Sequence, residues 1–111
     1  MTRWSSLTES EDDYLDKILD TALRNQWMAV HFIPAIVASG RRITPFKGLR
    51  GFPDLVLARE GEVLIPEIKK DGQYPKPDQR RWLHHLGDLG RVWRPSDWND
   101  VVLPTLTRRA A

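Results

Sequence analysis

Residues 54–69 constrain this chain more than any other stretch. Asp54-Leu55-Val56-Leu57-Ala58-Arg59 and the run from Glu62 to Lys69 are two strand-like segments separated only by Glu60-Gly61. A two-residue connection ending in glycine is a tight hairpin turn, so the two segments should pair antiparallel. Pairing across that turn sets Arg59 opposite Glu62 and, by counting back, brings Asp54 near Glu67. Glu67 and Lys69 are two residues apart and leave the same face of their strand. Two carboxylates and an ammonium therefore gather at one end of the hairpin.

The flanking segments complete an α/β pattern. Tyr14, Leu15, Ile18, Leu19, Ala22 and Leu23 form one helical face, predicting an amphipathic helix over about residues 9–25. Thr8-Glu9-Ser10-Glu11 has the shape of a capping box that would start it. Trp27 to Ile33 reads as a buried strand ended by Pro34. Residues 34–52, with their prolines, glycines and basic side chains, read as a long functional loop. After the turn-rich Asp71-Gly72-Gln73-Tyr74-Pro75, a helix starts at Pro77, shows the stripe Trp82, Leu83, Leu86, Leu89, and is stopped by Gly90. Arg91-Val92-Trp93-Arg94 is a short strand, and Ser96 could cap a last helix from Asp97 to about Leu103. The order is α-β-β-β-α-β-α. The strand–helix–strand unit over 62–94 predicts a parallel crossover and a mixed β-sheet flanked by helices.

A chain of 111 residues makes one domain, 1–111. It has no cysteine, which excludes disulfides, Cys-ligated zinc and thiol nucleophiles and suits a reducing cytoplasm. No signal-peptide pattern and no run long enough to span a bilayer occur, so a location away from the membrane is expected. The net charge of +2 is small, but its distribution is uneven. Acidic residues crowd the first twenty positions. None occurs from Thr21 to Pro53, where Arg24, Arg41, Arg42, Lys47 and Arg50 fall. A one-signed stretch suits a polyanion such as nucleic acid, or is a solvated loop of no consequence.

Carboxylate oxygens such as those of Asp54 and Glu67 are the hard ligands that Mg²⁺ or Mn²⁺ prefers. A metal there would polarise a phosphodiester and acidify an attacking water, with Lys69 positioning that water or neutralising charge on the phosphate. An acid beside a lysine on a strand is more often a solvated surface pair. This strand, however, is Val63-Leu64-Ile65-Pro66-Glu67-Ile68-Lys69, with helices expected on both sides, so charges on it need a reason. His31, His84 and His85 offer no zinc-type spacing.

Gly51-Phe52-Pro53-Asp54-Leu55-Val56-Leu57, Glu67-Ile68-Lys69, Gln79 before Trp82-Leu83, and the closing Val92-Trp93-Arg94-Pro95-Ser96-Asp97-Trp98 together resemble the VRR-NUC branch of the PD-(D/E)xK nucleases. The resemblance spans about Glu11 to Leu106. It implies a restriction-endonuclease-like fold related to Holliday-junction resolvases. It also implies Mg²⁺- or Mn²⁺-dependent endonuclease activity on DNA, often branched, flapped or junction DNA. Carried over, Asp54 and Glu67 would be metal ligands with the Ile68 carbonyl a third, and Lys69 the catalytic lysine. Gln79 would orient the lysine or contact substrate; its other reading is a first-turn polar residue. Glu11 matches the acidic residue on the family's first helix, with the capping box as its rival role. Pro66 departs from the family pattern, because it cannot donate a ladder hydrogen bond and must face outward or sit at a bulge.

Arg41, Arg42, Lys47 and Arg50 would deliver positive charge to DNA at the mouth of this site. A non-catalytic nucleic-acid-binding module on the same scaffold, or an RNA-processing nuclease, are the alternatives. The compact length fits a bacterial or phage protein by analogy, acting in the cytoplasm of the bacterium or infected host. Symmetric cutting of two strands would need a homodimer, and Trp4, Trp93, Trp98, Phe46 and Phe52 read as surplus apolar surface for it. The other role for those aromatics is to complete a small core.

Overall fold

The computed structural model of the protein describes residues 10–32, 35, 36, 39, 40, 42, 43 and 47–109. Helix α1 (Glu11–Arg24) starts where Ser10, in extended conformation, accepts from the Asp13 N–H through its Oγ at 3.0 Å. Glu11, Asp12 and Asp13 fill the first turn, where the helix dipole favours acids. The expected capping box is therefore corrected. Ser10 is the cap, and Glu11 stands at the first helical position, not the third from which it could reach back. Thr8 and Glu9 lie outside the described residues. The predicted apolar face holds: Tyr14, Leu15, Ile18 and Ala22 are buried.

Among the described residues, six strands follow the pattern in part. Strand β1 (Met28–His31) pairs antiparallel with β4 (Leu55–Arg59), and β4 with β5 (Glu62–Ile68). Strand β6 (Gly90–Trp93) lies parallel to β5, so the sheet is mixed, in the order β1-β4-β5-β6. Arg59 faces Glu62 across the turn as counted from sequence. Glu60 and Gly61 both take positive φ, 48° and 81°. Two left-handed residues give the turn the twist a hairpin needs, and glycine adopts the second without a steric cost. Strand β1 is not the buried strand its composition suggested. It lies at the sheet edge, and Met28 and Val30 stay 76% and 46% exposed on its outer face. Within the stretch expected to be loop, β2 (Ala35–Ile36) and β3 (Arg42–Ile43) form a small antiparallel pair of their own.

Helix α2 (Pro77–Leu86) ends at Gly87 rather than Gly90, and a 3₁₀ turn over Gly87–Leu89 leads into β6. Gly90 instead opens the strand. A Cβ there would stand 3.1 Å from Leu86 Cβ and 3.2 Å from Leu83 Cδ2, so α2 packs directly on this end of β6. The C-terminal helical segment also runs further than Leu103. A 3₁₀ turn (Pro95–Asp97) and a π turn (Trp98–Val102) precede α3 (Leu103–Thr107). Pro104 sits in the first turn of α3, where its missing N–H costs no helical hydrogen bond.

The core joins α1, the inner faces of β4 and β5, Trp27, Trp93, Val102 and Leu106. Burying each such aliphatic side chain stabilises the fold by about 1.5–3 kcal/mol. The buried Trp27 Nε1 donates to the Leu106 carbonyl at 3.0 Å, tying α3 to the core, and Arg59 lies over the Trp27 ring at 4.4 Å. Trp93 is 1% exposed and Trp98 packs against the core with its edge to Tyr14. Trp93 is thus core and not surplus surface. Trp4 and Phe46 lie outside the described residues. Among the described residues no helix is long and apolar enough to cross a membrane.

Candidate active site

Strand β5 is buried on both faces from Leu64 to Ile68. Alternate residues point to opposite faces, and Leu64 and Ile68 enter the main core. Glu67 is out of phase with them and turns to the other face, together with Lys69. Their charged ends meet, with Lys69 Nζ 3.5 Å from Glu67 Oε2 and both side chains largely shielded from water. Glu67 is the one charged side chain that is fully buried among the described residues.

Pro66 explains how Asp54 reaches this place. Residues 64, 66 and 68 of β5 direct their backbone groups toward β4, because the Lys69 N–H goes the other way, to Trp93 O at 3.1 Å on β6. Proline offers no N–H to β4, and the paired register stops at Leu57–Leu64. Beyond that point the ladder is replaced by a side chain: Asp54 Oδ2 accepts from the Ile68 N–H at 2.8 Å. The Asp54 carbonyl accepts from Phe32 N–H at 3.1 Å, which fixes the residue on its other side. In an extended residue the N–H and C=O share one edge, so the Ile68 carbonyl opens toward Asp54 as well.

The electrostatics are unfavourable for a carboxylate without a cation. Burial, then the negative charge of Asp54, pushes the Glu67 carboxyl up from 4.5 to about 8, although Lys69 pulls it the other way. Glu67 Oε1 is buried with no hydrogen-bond partner among the described residues. At the start of α1, Glu11 is also raised, first by burial and then by Asp54, with Lys69 and Lys70 opposing. Glu11 thus lies within the field of the same cluster. Asp54 and Glu67, the latter with an orphaned buried oxygen, and the Ile68 carbonyl beside them are donors of the hard oxygen type that a divalent cation such as Mg²⁺ takes. Among the described residues, no three acidic or imidazole groups stand close enough together to hold an ion as placed.

Gln79 is engaged elsewhere: its Oε1 accepts from the Lys76 N–H at 2.8 Å, closing the first turn of α2. Among the described hydrogen bonds none joins it to Lys69. Lys47 and Arg50 are exposed, and Arg42 opens β3. Arg41 lies outside the described residues. Sequence reasoning missed the surroundings of Trp82. Phe32, Phe52 and Trp82 form a row of edge-to-face aromatic contacts, with centroids 5.6 Å and 5.0 Å apart. Helical spacing puts Trp82 in an apolar stripe, yet α2 has no fully buried residue. The Arg81–His85 spacing around that tryptophan was the available signal. Comparison of the chain with protein-family models, with curated proteins and with solved structures returns no match.

Proposed function

We propose that this protein is a Mg²⁺- or Mn²⁺-dependent nuclease that hydrolyses phosphodiester bonds, on DNA and at branched, flapped or junction structures. The observation that carries the reading is Glu67, a buried acid with one oxygen that has no hydrogen-bond partner among the described residues, beside a second carboxylate and a lysine. An unpartnered buried carboxyl is destabilising, so such a group is expected where chemistry requires it. The antiparallel hairpin followed by a helix and a parallel strand supports the restriction-endonuclease-like reading of the mixed sheet.

Asp54, Glu67 and the Ile68 carbonyl would hold the cation, with Glu11 contributing from the start of α1. Bound there, a divalent ion would polarise the phosphodiester and acidify the attacking water. Lys69 supplies the fixed positive charge. Its ammonium, 3.5 Å from Glu67 Oε2, would hold that water or stabilise charge gathering on the phosphate oxygens. Burial of the site keeps bulk water from screening these charges.

One observation favours a non-catalytic nucleic-acid-binding module. The acidic groups do not form a ready three-ligand cluster among the described residues. Cleavage of matched DNA and RNA substrates in Mn²⁺, with and without EDTA, separates the readings. EDTA-sensitive cutting supports the nuclease and reports its sugar preference, whereas binding without cutting in Mn²⁺ supports the module. A homodimer would supply the second site for symmetric cutting, and the exposed outer face of the edge strand β1 is apolar surface it could cover. Light scattering with and without a four-way junction tests this, and a monomer mass in both would leave a single-strand nickase.

A further inference from the structure

We infer that the cleft beside Trp82 receives one unpaired nucleotide of the substrate strand, its base against the indole and its phosphate at Arg50 and Arg81. The proposal rests on the nuclease reading and names a subsite for it. The segment 48–51 and helix α2 enclose a cleft of about 530 Å³, within the range of small-ligand sites. Arg50 enters from the segment, while Arg81 and His85, one helical turn apart on the same face of α2, line the cleft beside Trp82. Asp78 is the one acid on its walls among the described residues.

The walls are fixed before any ligand arrives. Trp82 Nε1 donates to the Leu49 carbonyl at 3.2 Å, and Phe52 sets its ring edge-to-face with the indole. Gly51, at φ +93°, lies so close to α2 that a Cβ would stand 2.6 Å from the Asp78 carbonyl carbon. A held aromatic ring flanked by arginines is the combination that a base and its phosphate recognise together. Bases stacked inside a duplex cannot reach such a ring, so the occupant is unpaired.

The cleft is also within reach of the chemistry. The aromatic row runs from Trp82 through Phe52 to Phe32, whose N–H bonds the Asp54 carbonyl. Arg50 is four residues from Asp54, a span of at most about 14 Å. A nucleotide seated here would anchor the strand close to the Asp54–Glu67 centre and favour substrates with an unpaired nucleotide beside the scissile bond.

The test is the affinity of the full chain, in EDTA, for labelled single-stranded thymidine octanucleotide and its ribose counterpart, measured by fluorescence anisotropy. Trp82→Leu and Arg81→Gln should each weaken binding of the better single strand by about five-fold or more. Affinity for a blunt duplex should change by less than about two-fold, because general charge attraction is largely retained. Arg81 is exposed, so its variant stays informative if Trp82→Leu fails to fold by circular dichroism. Unchanged single-strand affinity in folded variants, an equal loss on the duplex, or no single-strand binding by the wild type overturns the subsite. Mn²⁺ cleavage is scored separately. A cleaving wild type whose variants keep single-strand affinity discards the cleft alone. A wild type that cuts nothing, while its variants lose that affinity, discards the nuclease reading alone.

Discussion

Replacing Glu67 by glutamine should make the metal-free protein more stable while abolishing cleavage. The folded-state carboxyl ionises near 8 rather than at its ordinary 4.5, with burial as the main cause. A group raised in this way contributes its full stability below about pH 4.5, where both states are protonated, and loses it as pH rises through about 8. At pH 7 the unfolded chain has released the proton and the folded chain largely retains it, a difference of about 3 kcal/mol against folding. Glutamine has the same shape, carries no charge, and can donate toward Asp54 while accepting from Lys69. In EDTA the variant should therefore melt on the order of 10 °C above wild type at pH 7. At pH 5 the gap should narrow to under about 1 kcal/mol. Added Mn²⁺ should raise the wild-type melting temperature and leave the variant's nearly unchanged. Calorimetry across pH 5 to 9 decides it. A variant no more stable than wild type at pH 8, or a difference flat with pH, would refute the argument that Glu67 is held against its own stability.

Asp54→Asn should lose turnover but keep its stability, since the amide oxygen can still accept from Ile68; Asp54→Ala should in addition lose about 1–3 kcal/mol in denaturant unfolding. Ser10→Ala should cost about 0.5–2 kcal/mol of stability and leave cleavage intact, because Ser10 is the cap. Glu11→Gln should show the opposite pattern in the same two assays, and a Glu11→Gln enzyme cutting at the wild-type rate would remove it from the site. Neutralising Arg41, Arg42, Lys47 and Arg50 should weaken binding to all duplex sequences alike and reduce the salt slope by about 0.9 for each phosphate no longer neutralised. Affinities unchanged at two salt concentrations would make those residues bystanders.

The hairpin was legible because its determinants are local. Glu60-Gly61 fixes the turn, the turn fixes the register, and the register carries Asp54 to Glu67 by counting. The parallel return to β6 followed from the helix between two strands. What failed was decided by tertiary packing. Composition marked Met28 and Val30 as buried, but among the described residues their strand pairs on one side only and both side chains stay exposed on its outer face. Gly90 looked like a helix stop, whereas its missing side chain serves the approach of Leu83 and Leu86. Trp93 looked like spare aromatic surface and instead joins the core from β6, level with Ile68 on β5. Pro66, which seemed to weaken the motif, ends the β4–β5 ladder where the Asp54 side chain takes over the next N–H.

Hydrolysis at the Asp54–Glu67–Lys69 centre is the central claim. The most direct measurement is single-turnover cleavage of a labelled four-way junction in Mn²⁺ by wild type and by Lys69→Ala, with circular dichroism to verify the fold of each. Lys69 lies just past the end of β5 and fills no part of the hydrophobic core, so its loss removes charge from the site with little effect on packing. The expected result is EDTA-sensitive cutting by the wild type and none by a folded Lys69→Ala variant. Equal cutting by both proteins, or no cutting of any branched or single-stranded substrate by a folded wild type in Mn²⁺, would contradict it.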